Sequence, residues 1–457
     1  MRLTLLLMLA SQAAWAVDPF MVLERTAPSP AAALRPATAC APAAVGDVLT
    51  LAGAVERALC ANPATRSAWL TARVRAAELG QAQSAYLPDV SLDGRLALIG
   101  NDLWPNDRTA WQVGMDAQYL LYDFGGRSAR REAAEALLAA ARASHDVNVH
   151  VLYLQTVTFY FSLATAQGAV MAAREAEAAA FETLTAATAR VAAGTGIPFD
   201  RLQAKTAHAQ RQIERIRAEG EAARLRGELA ALMGDVGQTA WSLAEDEEAF
   251  SQTFEPGRAV DALIEAARNR RPEFHAAEAA VLAREAGVRG AMAAGKPRLS
   301  SFFSIARQDS GIQVANSSSL GVSLTIPLFT GYRNTYEIAA AQNQADLARV
   351  ERDRVVNQVA LEVWRAYYRL QSETEVDRRS ADLVESAVAA EKLALGRYRA
   401  GMGILLDVLI AQTGLTQARQ SQLQARLGLR VARAELAQAM GELSWDWIEP
   451  ARQEGMQ

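Results

Sequence analysis

Most of the chain is written twice. Asn62-Pro63 returns as Arg271-Pro272, and Tyr86-Leu87-Pro88-Asp89 returns as Gly295-Lys296-Pro297-Arg298, both prolines displaced by 209 positions. Ala193-Gly194-Thr195-Gly196-Ile197-Pro198-Phe199-Asp200 returns as Ala400-Gly401-Met402-Gly403-Ile404-Leu405-Leu406-Asp407, displaced by 207, and Met233-Gly234 returns as Met440-Gly441 at the same displacement. Landmarks in one order at a nearly constant offset require two structurally equivalent halves.

Each half has the same predicted elements. A helix runs from about Ala64 to Leu87 and stops at Pro88. Then Val90, Leu92, Leu96 and Leu98 alternate with polar residues, as do Trp111, Val113, Met115, Ala117, Tyr119 and Leu121. Period two with one apolar face marks half-buried strands, placed at about 89–98 and 109–122 around a turn-rich loop from Gly100 to Asp107. After Gly125-Gly126 a proline-free helix extends from about Ser128 to Ala193, roughly 100 Å at about 1.5 Å per residue. A tight turn comes next, then a helix from Phe199 to Met233. The second half predicts a helix over Pro272–Ala294, strands at about 298–307 and 318–329, and helices over Asn334 to about Ala400 and Leu405–Met440. Leu320, Val322, Leu324, Ile326 and Leu328 fall on one face of its last strand. Tyr160-Phe161 and Tyr367-Tyr368 also match across the repeat and read as core packing.

The same landmarks set the boundaries. Residues 1–16 read as a signal peptide: Arg2 supplies the charge, Leu3 to Ala10 the apolar core, and Ala14-Trp15-Ala16 the small-x-small cleavage site. Residues 17–50 are rich in Pro and Ala and read as extended or disordered. The first repeat covers 51–234, a linker 235–256, the second repeat 257–443 and a tail 444–457. The fold class is mainly α with a small β part. Cys40 and Cys60 are free to pair in an oxidising compartment or to stay single. Cys40 lies too far from the signal core to be a lipidated N-terminus.

Four strands per chain cannot close a membrane barrel, which needs about eight, and open edges are costly in lipid. Several chains must therefore share one barrel, continued by a tube of long helices.

The duplicated exported chain, its strand pairs, the run Pro327-Leu328-Phe329-Thr330-Gly331 with its partner Tyr122-Asp123-Phe124-Gly125-Gly126, and the two Gly-x-Gly-Ile-x-x-Asp turns resemble the TolC family of outer-membrane efflux and type I secretion proteins. The resemblance covers roughly Leu51 to Leu443. It implies a homotrimer in outer-membrane lipid, with a shared twelve-stranded barrel and a periplasmic helical tunnel. It also implies a periplasmic adaptor and an inner-membrane ABC or other transporter as partners. The missing lipidation cysteine looks like the secretion-type members, with small-molecule or metal efflux as the alternative.

The turns Gly194–Asp200 and Gly401–Asp407 would then form the closed tip, with Gly194, Gly196, Gly401 and Gly403 shaping it. Tyr398 matches a tyrosine that bonds to the aspartate matched by Asp200, and Asp407 matches a pore-ring aspartate. Gly403 and Ile410 depart from the pattern, standing where the type member has a gate arginine and a second ring aspartate. The plainer reading of Asp200 and Asp407 is that acidic residues favour helix starts. Trp111, Val113, Met115, Tyr119, Leu320, Val322, Leu324 and Ile326 are the predicted lipid-facing residues.

Chemistry motifs are lacking. His145, His150, His208 and His275 have no metal spacing, and no cofactor motif, P-loop or nucleophile elbow occurs. The net charge is -4 with no basic block, so nucleic acid is not an expected partner. A periplasmic structural coiled-coil protein is the remaining rival to a duct, and the amphipathic strands count against it.

Overall fold

The computed structural model describes residues 18–26, 48–101, 104–235, 241–244, 260–310 and 313–448. The signal peptide, Cys40 and most of residues 17–50, part of the linker and the end of the tail lie outside the described residues.

The repeat is explicit in the elements. Strand β1 (Val48–Leu49), helices α1 (Leu51–Ala61) and α2 (Pro63–Ser84), strands β2 (Asp89–Asn101) and β3 (Trp104–Tyr122), and helices α3 (Gly126–Ala192) and α4 (Pro198–Leu232) form the first half. Strand β4 (Ser242–Leu243), helices α5 (Val260–Arg270) and α6 (Pro272–Ala294), strands β5 (Arg298–Asp309) and β6 (Val314–Thr325), and helices α7 (Arg333–Arg399) and α8 (Leu405–Ala439) form the second. Helices α3 and α7 are each 67 residues long, and α4 and α8 are each 35.

Three features differ from the sequence expectation. The turn-rich stretch Gly100–Asp107 is largely strand: β2 runs to Asn101 and β3 starts at Trp104, with an irregularity between Ile99 and Asn101. Each half also opens with an 11-residue helix, α1 or α5, ahead of its proline. The 17–50 segment is not wholly loose, because Val22 is buried against Ala76, Leu79 and Leu138, and Val48–Leu49 pairs in parallel with β4 inside the linker.

The chain divides into two compact units. The first, Met1–Pro28, Ala68–His145 and Glu273–Val355, holds the four-stranded sheet. Its order is β2-β3-β5-β6, antiparallel throughout, so β2 and β6 are edges.

The second unit, Ser29–Ser67, Asp146–Pro272 and Val356–Gln457, holds the main core. Leu51, Val55, Tyr153, Val157, Tyr160, Phe161 and Trp241 are buried together. Tyr160 ties the small parallel sheet to this core, its hydroxyl donating to the carbonyls of Leu49 at 3.1 Å and Ala244 at 3.2 Å. Helix α1 is capped by Thr50, whose hydroxyl accepts from Gly53 N at 3.1 Å. Cys60 is disulfide-bonded. The halves use matching staples: Asn62 donates to Leu232 O at 3.3 Å, while 209 positions later Arg271 reaches Ala439 O at 3.4 Å and also Glu362 at 2.8 Å. The aromatic pairs part company here. Tyr160 and Phe161 are core, as expected, but Tyr368 is 45% exposed, so the second pair is not core within this chain.

Candidate functional site

The sheet sorts its side chains by parity. The register sets Leu92 opposite Met115, Met115 opposite Ile305, and Phe303 opposite Leu320. Trp111, Val113, Met115, Tyr119, Leu320, Val322 and Leu324 therefore share one face with Val90, Leu96 and Leu98, while Ile326 follows β6 by one residue. Many of these are exposed, Leu320 to 80%. The apolar stretch Trp111–Tyr119 of β3 spans nine residues, close to the 9–11 a tilted strand needs to cross a bilayer. The opposite face carries Asp89, Asp93, Arg95, Gln112, Asp116 and Gln118, with serines on β5 and β6. At its end a cavity of about 1150 Å³ opens between Asp89, Gln118, Arg298 and Thr325 of this face and Asp123 and Arg130.

The exits from the sheet are strained alike. Phe124 and Gly125 both have positive φ (52° and 93°), as do Gly331 and Tyr332 (62° and 63°) at the equivalent positions. In the first half, buried Asp123 accepts from Arg127 N at 2.7 Å, and Arg127 donates to Leu121 O at 3.1 Å while lying 4.8 Å over the Tyr86 ring. Phe124, Phe329, Tyr332 and Tyr336 are exposed beside these exits.

The second unit holds the two nominated turns. Gly194 and Gly401 adopt the left-handed conformation that ends a helix (φ 73° and 78°). Thr195 N bonds Arg190 O at 3.0 Å and Met402 N bonds Arg397 O at 2.9 Å, closing α3 and α7 in the same way. Gly196 lies against the helix end so closely that a Cβ would meet Arg190 Cβ at 3.0 Å, and one on Gly403 would meet Tyr398 N at 3.2 Å. Asp200 and Asp407 fall in the first turn of α4 and α8, where the helix dipole favours a carboxylate, and neither helix has a side-chain cap.

Tyr398 is 1% exposed and packs with Ala187, Ala204, Leu405 and Val408. Burial raises its hydroxyl pKa, the Asp200 charge raises it further, and Arg190 opposes both. No hydrogen bond joins Tyr398 to Asp200 among the described residues. Arg190 holds the tyrosine instead: its guanidinium sits 4.7 Å over the ring and donates to Tyr398 O at 3.0 Å. Sequence reasoning missed Arg190; its place one turn before a matched glycine was the available signal. Gln412, also missed, is buried and donates to Thr183 Oγ1 at 2.9 Å. Ile197, Phe199, Met402, Ile404 and Ile410 are exposed around the turns.

Comparison with known proteins places this architecture. The model of the family described as outer membrane efflux protein matches residues 54–235 and 263–442, one segment per repeat. The chain belongs to this family. It is 31% identical over 416 residues to Protein CyaE of Bordetella pertussis, covering 88% of this chain and 86% of that one. It is 27% identical over 412 residues to the outer membrane efflux protein BepC of Brucella suis, with 87% of each covered. The crystal structure of the outer membrane protein VceC from Vibrio cholerae superposes with a TM-score of 0.74 at 20% identity, over 86% of this chain and 96% of that one. Members of the family are outer-membrane channel and transport proteins. Among the described residues no helix is long and apolar enough to cross a membrane.

Proposed function

We propose that three copies of this chain close their four-stranded sheets into one twelve-stranded barrel in the outer membrane and their long helices into a periplasmic tunnel. The observation that carries this is a sheet with one apolar face, one polar face and both edges open. One chain cannot satisfy those edges in lipid, and neighbouring copies can. The exposed aromatics at the sheet exits support the reading, because barrels carry aromatic girdles where the bilayer meets water.

In this duct a periplasmic adaptor and an inner-membrane transporter deliver cargo to the helical tip. The cargo we assign is a secreted polypeptide, on the resemblance to the secretion-type members of the TolC family. The turns Gly194–Asp200 and Gly401–Asp407 form the narrow end. Three copies of Asp407 about one axis attract cations, and their mutual repulsion raises their proton affinity.

Cross-linking in native outer membranes is expected to give a three-chain species, and a stable monomeric pore would rule the duct out. In planar bilayers, Asp407→Ala is expected to lower cation selectivity. Secretome comparison with a deletion strain tests the cargo. Loss of one exported protein with unchanged drug and metal tolerance is the expected outcome, and the reverse assigns small-molecule efflux.

A further inference from the structure

The two hairpins of the sheet match residue for residue. Asp89 pairs with Gln118 on β2 and β3, and 209 and 207 positions later Arg298 pairs with Thr325 on β5 and β6. Leu98–Thr109 and Arg307–Asn316 match in the same way. The joint between the hairpins is β3 with β5, where Met115 faces Ile305, Gly114 faces Ala306 and Val113 faces Arg307. Strands β2 and β6 are the edges.

In the trimer proposed above, on which the inference rests, β6 of one copy meets β2 of the next. Carrying the β3–β5 joint across the repeat gives that seam a register: Val322 faces Leu96, Gly321 faces Ala97 and Leu320 faces Leu98. The glycine and the alanine are kept in both joints. A Cβ on Gly114 would meet the Ala306 Cβ at 3.3 Å, so this rung takes only small residues. Val322, Leu96, Leu320 and Leu98 fall on the face of Met115 and Ile305 and are exposed in the single chain. A slip of one residue turns one strand's faces over. A slip of two keeps the faces but sets Gly321 against Arg95 or Ile99, and neither is small.

The polar face carries one residue that its surroundings do not explain. Ser300, Ser304, Ser319 and Ser323 lie around Phe302 on β5 and β6, yet Phe302 is an exposed aromatic. Its ring crosses to β6 and covers Gly321, where a Cβ would meet Phe302 Cζ at 2.7 Å. The tip of the ring thus ends at the open edge. Its counterpart in the first half is Asp93, and the atoms closest to Gly114 belong instead to Ala306 and Ile305. An aromatic laid over an edge glycine shields it and helps to pin the register of the strand beside it. The ring stands at the joint between chains and not at the joint within one.

We propose that β6 pairs with β2 of the next copy in the register Val322–Leu96, and that Phe302 is the clasp of this seam. Its ring spans Gly321 and closes on Ala97 of the next copy from the polar side of the barrel.

Cysteine pairs in the full-length protein in outer membranes test the register. Val322→Cys with Leu96→Cys is expected to give two- and three-chain ladders on oxidation. Val322→Cys with Gly94→Cys or with Leu98→Cys, each slipped by two, is expected to give far less. A stronger ladder from a slipped pair overturns the register. Heating of the detergent-extracted trimer tests the clasp. Phe302→Ser is expected to lower by several degrees the temperature at which the chains separate, and Ser304→Ala to leave it unchanged. Ala97→Phe added to Phe302→Ser supplies a ring from the other side of the seam and is expected to restore it, a rescue that a fault inside one chain does not give. An unchanged temperature for Phe302→Ser, or a loss that Ala97→Phe does not mend, overturns the clasp. A trimer by chemical cross-linking with no ladder from any of the three cysteine pairs overturns the register and leaves the duct standing. Absence of a trimer removes the duct reading and the seam together.

Discussion

Val157 and Phe161 on α3 have Trp364 and Tyr368 as their counterparts on α7, 207 positions later. The first pair is 0% and 1% exposed, covered by α1, Trp241 and neighbours in the same chain. The second pair is 51% and 45% exposed. Both repeats keep the local aromatic geometry: Tyr160–Phe161 and Tyr367–Tyr368 are edge-to-face at 5.8 and 5.3 Å. Duplication thus placed one face twice, once as a core and once exposed on the surface of the chain. The side chains reflect that difference. Tyr and Trp, each with a polar handle on a large apolar body, stand where the surface meets water, and Phe and Val stand where it does not.

The sharpest way to break this comparison is to truncate both sides. Phe161→Ala is expected to cost the folded chain about 3–5 kcal/mol, read as a lowered Tm. Tyr368→Ala is expected to leave the folded chain nearly intact and to shift the trimer toward monomer in light scattering. Equal losses of Tm without dissociation would make both positions core and remove the distinction.

The sheet offers the second test. Val113→Arg or Leu324→Arg puts a charge in hydrocarbon at about 2–4 kcal/mol near mid-bilayer, whereas Gln112→Arg or Ser323→Arg puts it on the polar face. Heat-modifiable mobility of outer-membrane fractions should show lost assembly for the first two alone. Equal tolerance of all four would overturn the facing assigned to the sheet.

Much of this was legible because duplication checks itself. Pro63 and Pro272 mark the starts of α2 and α6, and the glycine-rich turns separate α3 from α4 and α7 from α8. Strand parity read from Val113 and Leu324 agrees with the register that sets them on one face. What escaped depended on contacts distant in sequence. Asn106 and Asp107 look like turn formers, yet β3 runs through them, between Trp104 paired with Asn101 and Arg108 paired with Ile99. Helix α1 was readable in Leu51, Ala54, Val55 and Ala58, whose spacing is helical, but its 11 residues are too few to stand out beside helices of 67. Arg190 carries no motif of its own, and its role depends on Tyr398, 208 positions away.

The staples give a third, smaller contrast. Arg271→Ala loses a charge-assisted bond to Glu362 and a carbonyl contact, an expected cost of about 1.5–3 kcal/mol. Asn62→Ala loses one neutral bond, about 1 kcal/mol. Chemical denaturation of the two variants measures the difference. Equal costs would mean that the ion pair adds nothing to the second repeat.

The smallest expected effect is a pH dependence at one carboxyl of the second repeat. Glu435 pairs with Arg369 at 2.6 Å, while its counterpart Glu228 is exposed enough to meet Arg224 in solvent. Burial raises the Glu435 pKa first, and the Glu373 charge adds to the rise. Arg369 opposes both without cancelling them. A carboxyl raised in the folded chain binds more protons there than in the unfolded chain, between the ordinary carboxylate value and the raised one. Stability must therefore fall as pH climbs through that window and recover as pH drops. Glu435→Gln keeps the shape without the titration, so its stability profile should be flatter across that window. A Glu435→Gln profile with the original slope would place the titration elsewhere.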